Sequence, residues 1–323
     1  MSKLAMLHPS FQNLPQTRLG IGVYVWKLTQ EAHQGRNWQS RLVKSLGASL
    51  SSFTQKDVFV DWLSFLHEPE NQAILEANPF LRFRTLRGYV STRWGNDKKL
   101  KVLKDSLRFS HLKKGSLQDS LVIKMEEKLT IADIPLGEDL GNIQFKLSNS
   151  YRFRREGQWT LSVHCDKIGD ELCSIAFAVE DVNGQWTAYA GAIQGGAGAN
   201  EDTIKASWKA MHGVRAKAMA IFALQEVVSA LGVSRLLGAG NSIQMSSGKH
   251  MISVPWNKIS FNYNQMWEEA DGKAVEEGWF ELPLREIRRS REEIKTNKRA
   301  LYTRRYALFD QLSVAVSQGL TAK

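Results

Sequence analysis

The sequence predicts an α+β fold, α/β in looser usage: a mixed, largely antiparallel sheet with one β-α-β crossover, a helical N-terminal part and a long C-terminal helix. Three observations carry this expectation. Apolar residues recur at three- and four-residue intervals through 36–53, 56–66 and 97–112, the period of helices with one buried face. Short apolar runs punctuated by Gly and Asn follow at 121–125, 143–147, 159–165, 172–180 and 186–194. A broadly apolar helical stretch, 216–231, then lies between the last of these runs and another at 235–239.

In the helical part, Leu100, Leu103, Leu107 and the Phe109/Leu112 pair share one face, with Lys98, Lys99, Lys101 and Lys104 on the others. Pro69 and the Asn78-Pro79 pair interrupt helical stretches. In the strand region, Asn183-Gly184 joins two apolar runs and predicts a type I′ hairpin, whose two central residues need positive φ. The strands up to Gln194 therefore form an antiparallel meander. A helix between two strands of one sheet then requires a parallel, right-handed crossover, with Gly232 ending the helix. A final helix is expected over 284–318, where Ile287, Ile294, Leu301 and Leu308 repeat every seven residues. The division that follows is a mainly helical region, 1–118, and an α/β domain, 119–323.

Composition narrows the function classes. A hydrophobic fraction of 43% with 24% charged residues describes a globular chain, and 43 Lys and Arg against 33 Asp and Glu leave a net charge of +10. Such a surplus favours an acidic partner: an anionic lipid surface, an acidic carrier protein, a phosphorylated small molecule or nucleic acid. Cys165 and Cys173 have no metal-binding spacing, make no disulfide scaffold and read as reduced core thiols. No metal site is expected. The N-terminal run 19–26 is too short to span a bilayer, and no signal-peptide pattern precedes it. The expectation is a cytoplasmic protein without a transmembrane segment, with peripheral contact to the inner membrane left open.

Chemistry is most concentrated in 189–241. The stretch QGGAGAN at 194–200 lets backbone approach a ligand closely, so Gln194, Gly195 and Gly196 are candidate phosphate contacts. It is neither a P-loop nor a dinucleotide-binding glycine pattern. His212, Arg215 and Lys217 stand where the buried helix begins, a position of positive potential. There Arg215 and Lys217 would neutralise an anion, with His212 as general base or further donor. The segment Tyr263 to Glu269 offers Glu268, ahead of Glu269, as the second catalytic candidate beside Trp267. Between 285 and 305 stand nine Lys or Arg against three Glu; Lys298, Arg299, Arg304 and Arg305, with Tyr302 and Tyr306, are candidates for an anionic partner.

Five separated motifs in order resemble the VirK/YbjX family of bacterial proteins: GAIQG at 191–195, MHGVRAK at 211–217, YNQMWEE at 263–269, GWFELP at 278–283 and KRALYTRRY at 298–306. The resemblance covers 88–312, about two-thirds of the chain. It departs from the family's pattern at Ala216, in place of proline, at Ser110-His111, in place of His-Tyr, and at Asn297, in place of serine. The resemblance implies a link to envelope physiology and virulence in Gram-negative bacteria, without a mechanism.

The order meander, loop, buried helix, strand and Tyr/Trp segment also resembles the acyl-CoA N-acyltransferase (GNAT-like) architecture, although its Q/R-x-x-G-x-G/A signature is missing. That resemblance implies an acyltransferase whose donor is acyl-CoA or the phosphopantetheine of an acyl carrier protein. Its rivals are a non-enzymatic peripheral protein that binds anionic membrane or an envelope factor through the 285–306 segment, and a nucleic-acid binder using the same segment. No helix-turn-helix, RNP or zinc-finger pattern supports the last.

Overall fold

The structure, a computed structural model, describes Pro15 and residues 17–35, 37–137, 141–166, 171–196, 201–245 and 261–321. The chain opens with α1 (Arg18–Ala32) and α2 (Trp38–Thr54), each started by a side-chain cap. Thr17 Oγ1 accepts from Gly20 N at 3.0 Å, and Asn37 Oδ1 accepts from Ser40 N at 2.8 Å. The sequence reading left α1 out; its Ile21 and Val25 pack on Phe59 and Leu63 of α3 (Lys56–Leu66). After α4 (Gln72–Ala77), a 3₁₀ stretch, Pro79–Leu86, leads past 87–95 into α5 (Asn96–Lys113) and α6 (Gly115–Val122).

Helix α6 corrects the strand expected over 121–125. Its Leu117 and Leu121 are fully buried, and the Leu117 carbonyl accepts from Trp159 Nε1 at 3.1 Å. The first strand begins later, as β1 (Leu129–Gly137). Next come β2 (Gly141–Ser148), β3 (Trp159–Cys165), β4 (Glu171–Val182) and β5 (Gln185–Gly195), paired antiparallel in succession. The β4–β5 turn has positive φ at both Asn183 and Gly184, as its sequence requires. Cys165 and Cys173 are both fully buried.

Two helices, not one, fill the crossover: α7 (Glu201–Ala210) and the buried α8 (Ala216–Ala230). The strand β6 (Arg235–Ala239) then pairs parallel to β5. After α9 (Tyr263–Glu269), β7 (Lys273–Ala274) and β8 (Trp279–Leu282) complete an eight-stranded sheet ordered β1-β2-β3-β4-β5-β6-β8-β7. The fold is thus α+β with a mostly antiparallel sheet and one parallel crossover pair.

The last helix, α10 (Arg299–Thr321), starts fifteen residues after the expected start at 284. Side chains compete for the intervening backbone: Glu293 Oε2 accepts from Ser290 N at 2.6 Å, and Arg299 Nε donates to Ile294 O at 3.2 Å. Ile287, the first member of the heptad pattern, is exposed. One core cluster runs from Trp62 in α3 through the sheet to Leu320 in α10. Three of its buried indoles donate to backbone carbonyls: Trp62 to Leu81 at 2.8 Å, Trp159 to Leu117 and Trp267 to Ala239 at 2.9 Å.

The α1–α2 hairpin differs from the rest. Trp38 and Leu50 are 66% and 68% exposed, and Leu19, Val23, Leu42 and Leu46 are also open to solvent. Among the described residues no helix is long and apolar enough to cross a membrane.

Candidate functional site at the bulge in β5

The register between β4 and β5 shifts at one place: Ala176 faces Ala192, whereas Phe177 faces Ala190. Gly191 is the extra residue of a β-bulge, a device that bends a strand and ends regular pairing. A Cβ on Gly191 would lie 1.9 Å from the Glu156 carbonyl oxygen, so only glycine lets the β2–β3 connection approach this strand. On the other edge, β6 pairs with β5 only from Thr187↔Arg235 to Ala190↔Gly238, although β5 continues to Gly195. The two parallel strands therefore part company at the bulge.

Groups from distant segments meet there. Tyr263, the first residue of α9, donates its hydroxyl to Ile193 O at 3.0 Å. Asn241, just beyond β6, fixes the start of that helix by accepting from Tyr263 N at 2.8 Å. Lys217, in the first turn of α8, holds Nζ 3.3 Å from the centroid of the Phe261 ring, which stands edge-on to Tyr263. Burial pulls the Lys217 ammonium below the usual lysine range, and burial pushes the Tyr263 phenol up to about 12. Glu156 lies close enough to Tyr263 to add to that rise.

The Glu156 carboxyl also belongs to this place. Burial raises it above the usual range against the opposing pull of Arg155, backbone N–H groups and Arg154. It belongs to a turn, 151–156, anchored by Val90 N donating to Arg155 O at 2.7 Å. Thr92 N in turn donates to Ile243 O at 2.9 Å, so the 87–92 segment, the β2–β3 connection and the loop after β6 close around one point.

The sequence-predicted residues occupy four places around this centre. Gln194 Oε1 and Gly195 O both accept from Arg152, at 3.0 and 3.1 Å. Gly196 donates its N–H to Leu172 O, and a Cβ there would sit 1.3 Å from Glu171 O, so its glycine serves chain packing at the start of β4. Residues 197–200 of the predicted cradle lie outside the described residues.

Arg215 stacks over Trp208, with its guanidinium 5.1 Å from the ring centroid. His212, at φ 53°, sits in the α7–α8 turn and its carbonyl accepts from Arg305 Nε at 2.6 Å. Burial, then Arg304 and Arg305, lower the His212 imidazole. The structure thus groups His212 with Arg304 and Arg305, and places Lys217 with Phe261 and Tyr263; no hydrogen bond, ion pair or ring contact of the described residues joins the two sets.

Glu268 is exposed on α9, and Glu269 accepts from Gln265 Nε2 at 3.0 Å. Of the expected basic helix, Arg305 also stacks over Tyr302, Tyr306 accepts from Arg289 N, and Arg299 is tied to Ile294. Lys298 and Arg304 are exposed. Among the described residues no cluster of His, Cys, Asp and Glu could hold a metal ion.

Sequence reasoning missed Glu156 and its arginine neighbours. The signal was present as two similar basic runs, RFRTLR at 82–87 and RFRREG at 152–157. Their convergence needs the fold, because some seventy residues separate them.

A family model described as a protein of unknown function, DUF535, matches residues 40–318. An uncharacterized protein of Haemophilus influenzae is 26% identical over 258 residues, 79% of this chain and 83% of its own length. The uncharacterized protein YbjX of Escherichia coli K12 is 25% identical over 295 residues, 87% of this chain and 84% of its own. The chain belongs to this family, VirK/YbjX or DUF535. No solved structure matches it significantly.

The raised carboxyl of Glu156 has a measurable consequence. A carboxyl with a folded-state pKa above its unfolded value costs stability once ionised, and that cost fades as pH falls into the carboxylate range. Glu156→Gln removes the cost. Denaturant unfolding is expected to find the variant gaining on wild type as pH rises from 4 to 7. A stability difference that stays flat or shrinks over that interval would contradict a partly buried, raised carboxyl.

Proposed function

We propose that this member of the DUF535 family is an acyltransferase-like enzyme, taking its acyl group from acyl-CoA or from the phosphopantetheine of an acyl carrier protein. The observation that carries the reading is the parting of β5 and β6 at the Gly191 bulge, a parallel pair whose crossover contains the buried α8. The succession of meander, crossover and Tyr/Trp helix supports likeness to the N-acyltransferase architecture. An extended arm of pantetheine type, with two amides, suits pairing with backbone of β5 beyond its last partner in β6.

In this scheme Lys217 meets a donor phosphate at the start of α8. Glu156 takes the proton from an amine or hydroxyl acceptor as the nucleophile attacks the thioester carbonyl. The new C–N or C–O bond forms, the C–S bond breaks, and the protonated Tyr263 hydroxyl gives its proton to the departing thiolate. Placement favours Glu156 over His212 and Glu268 as base, since neither of those approaches the bulge through a described contact. An acidic carrier protein fits the net charge of +10.

A second reading concerns location and is favoured by the α1–α2 hairpin. Its exposed apolar face is accompanied by Arg18, Lys27 and Arg41, and α2 contains no acidic residue. That combination suits peripheral attachment to an anionic membrane, with apolar side chains in the interface and cations at the headgroups. This surface is better suited to the role than the 285–306 segment, several of whose cations are engaged within the fold.

Two experiments test these readings. CoA at a hundred times its Kd contributes about 2.7 kcal/mol, a rise in Tm of roughly 5 °C for a chain of this size. The rise is expected to vanish in Lys217→Ala and persist in Arg304→Ala; no rise with CoA, acyl-CoA or acyl carrier protein would sink the enzyme reading. Co-sedimentation should occur with anionic but not neutral vesicles and be lost in the Leu46→Glu, Leu50→Glu double variant, whose positions are solvent-exposed. Equal sedimentation of the double variant and wild type would remove the hairpin from the account.

A further inference from the structure

We propose that Arg87, Arg154 and Arg155 form a binding site for a phosphate-bearing ligand beside the β5 bulge. This goes beyond the acyl-transfer reading and stands without it.

Three guanidiniums from two chain segments crowd one place. Arg155 is hydrogen-bonded through its carbonyl to Val90 N, and its terminal nitrogen lies 3.6 Å from where a Cβ on Gly88 would be. Its guanidinium is therefore packed against the backbone that carries Arg87. Arg154 lies over the Tyr151 ring, 3.8 Å from the centroid, and donates to Tyr151 O at 2.8 Å. Arg87 is partly buried, and its guanidinium feels both Arg154 and Arg155 as repelling neighbours. None of the three has a carboxylate within salt-bridge distance among the described residues, and Arg155 Nε is buried without a hydrogen-bond partner there. The Glu156 carboxyl acts on Arg155, and burial disfavours its charged form.

Arg84 shows what a structural arginine looks like here. It is 6% exposed and spends its donors on Gly157 O at 2.8 Å and Asn149 Oδ1 at 2.9 Å, bracing the same turn. Arg87, Arg154 and Arg155 keep donors in hand instead. Like charges brought together out of bulk water are unfavourable unless an anion joins them. Planar guanidinium forks recognise phosphate oxygens in pairs, which a cluster of three does well. A phosphomonoester or diphosphate matches the surplus of charge, and its attached group would project toward Glu156, Tyr263 and the bulge. If acyl transfer takes place at the bulge, this ligand is the acceptor.

The test is calorimetric titration of the full chain with inorganic pyrophosphate, glycerol 3-phosphate and monomeric dihexanoyl phosphatidic acid at fixed ionic strength, with and without saturating CoA. Wild type is expected to bind at least one of these saturably. Arg154→Ala and Arg155→Ala should each weaken binding at least tenfold. Arg87→Lys, which keeps the charge and loses the fork, should weaken it less, and Arg304→Ala should leave it unchanged. Arg154 is partly exposed and bonded only within its own turn, so its variant keeps the test open if another fails to fold. Tighter binding of the short-chain lipid than of glycerol 3-phosphate assigns the site to a lipid headgroup; equal binding assigns it to a soluble phosphate ester. Binding that survives in Arg154→Ala, falls equally in Arg304→Ala, or is absent for all three probes overturns the proposal. Loss of CoA stabilisation with phosphate binding intact would defeat acyl transfer and leave this site standing.

Discussion

Contact between the Gly191 backbone and the Glu156 carbonyl is the constraint on which the arrangement depends. A side chain at 191 would push the β2–β3 connection off the strand, and with it the turn that holds Arg152, Arg154, Arg155 and Glu156. The bulge that makes room also interrupts regular pairing, so β5 leaves β6 at the same level. One residue without a side chain thus marks both the end of pairing between the parallel strands and the place where the 151–156 turn packs on β5. Bulges bend strands and re-aim side chains, and they recur beside active sites for that reason.

Charge is distributed unevenly around this point. Several basic side chains are paired locally. Arg288 bridges Glu286 and Asp310, Arg235 pairs with Glu281, and Lys98 and Lys101 meet the buried Glu180. Such pairs at the surface contribute little to stability, but they cancel the field of the groups involved. The three arginines near the bulge are not cancelled in this way. A basic chain therefore need not have a basic surface everywhere; the potential collects where opposite charge has been withheld.

The sequence was most informative where a local rule decides structure. Asn183-Gly184 fixed the hairpin because few residue pairs accept positive φ twice, and the apolar circumference of α8 marked a helix buried against the sheet. It misled where tertiary contacts outweigh local pattern. The heptad at 287–308 suggested continuous helix, yet capping by Glu293 and the pull of Arg299 on Ile294 O keep the first part irregular. The 121–125 run resembled a strand because its buried leucines are too few to display a helical period. Of the candidate site, Lys217 and the Tyr263 segment were legible, since each opens a helix after a loop. Glu156 was not, because its environment comes from residues between 84 and 263 that no window of sequence brings together.

The most direct measurement is a crystal structure of the full chain with a non-hydrolysable acyl-CoA analogue bound. The account predicts density for the pantetheine arm beside 192–195 of β5, with the reacting carbon near the Glu156 carboxyl and the Tyr263 hydroxyl. An analogue bound away from the parting of β5 and β6, or a gap closed there by packed side chains, would contradict it.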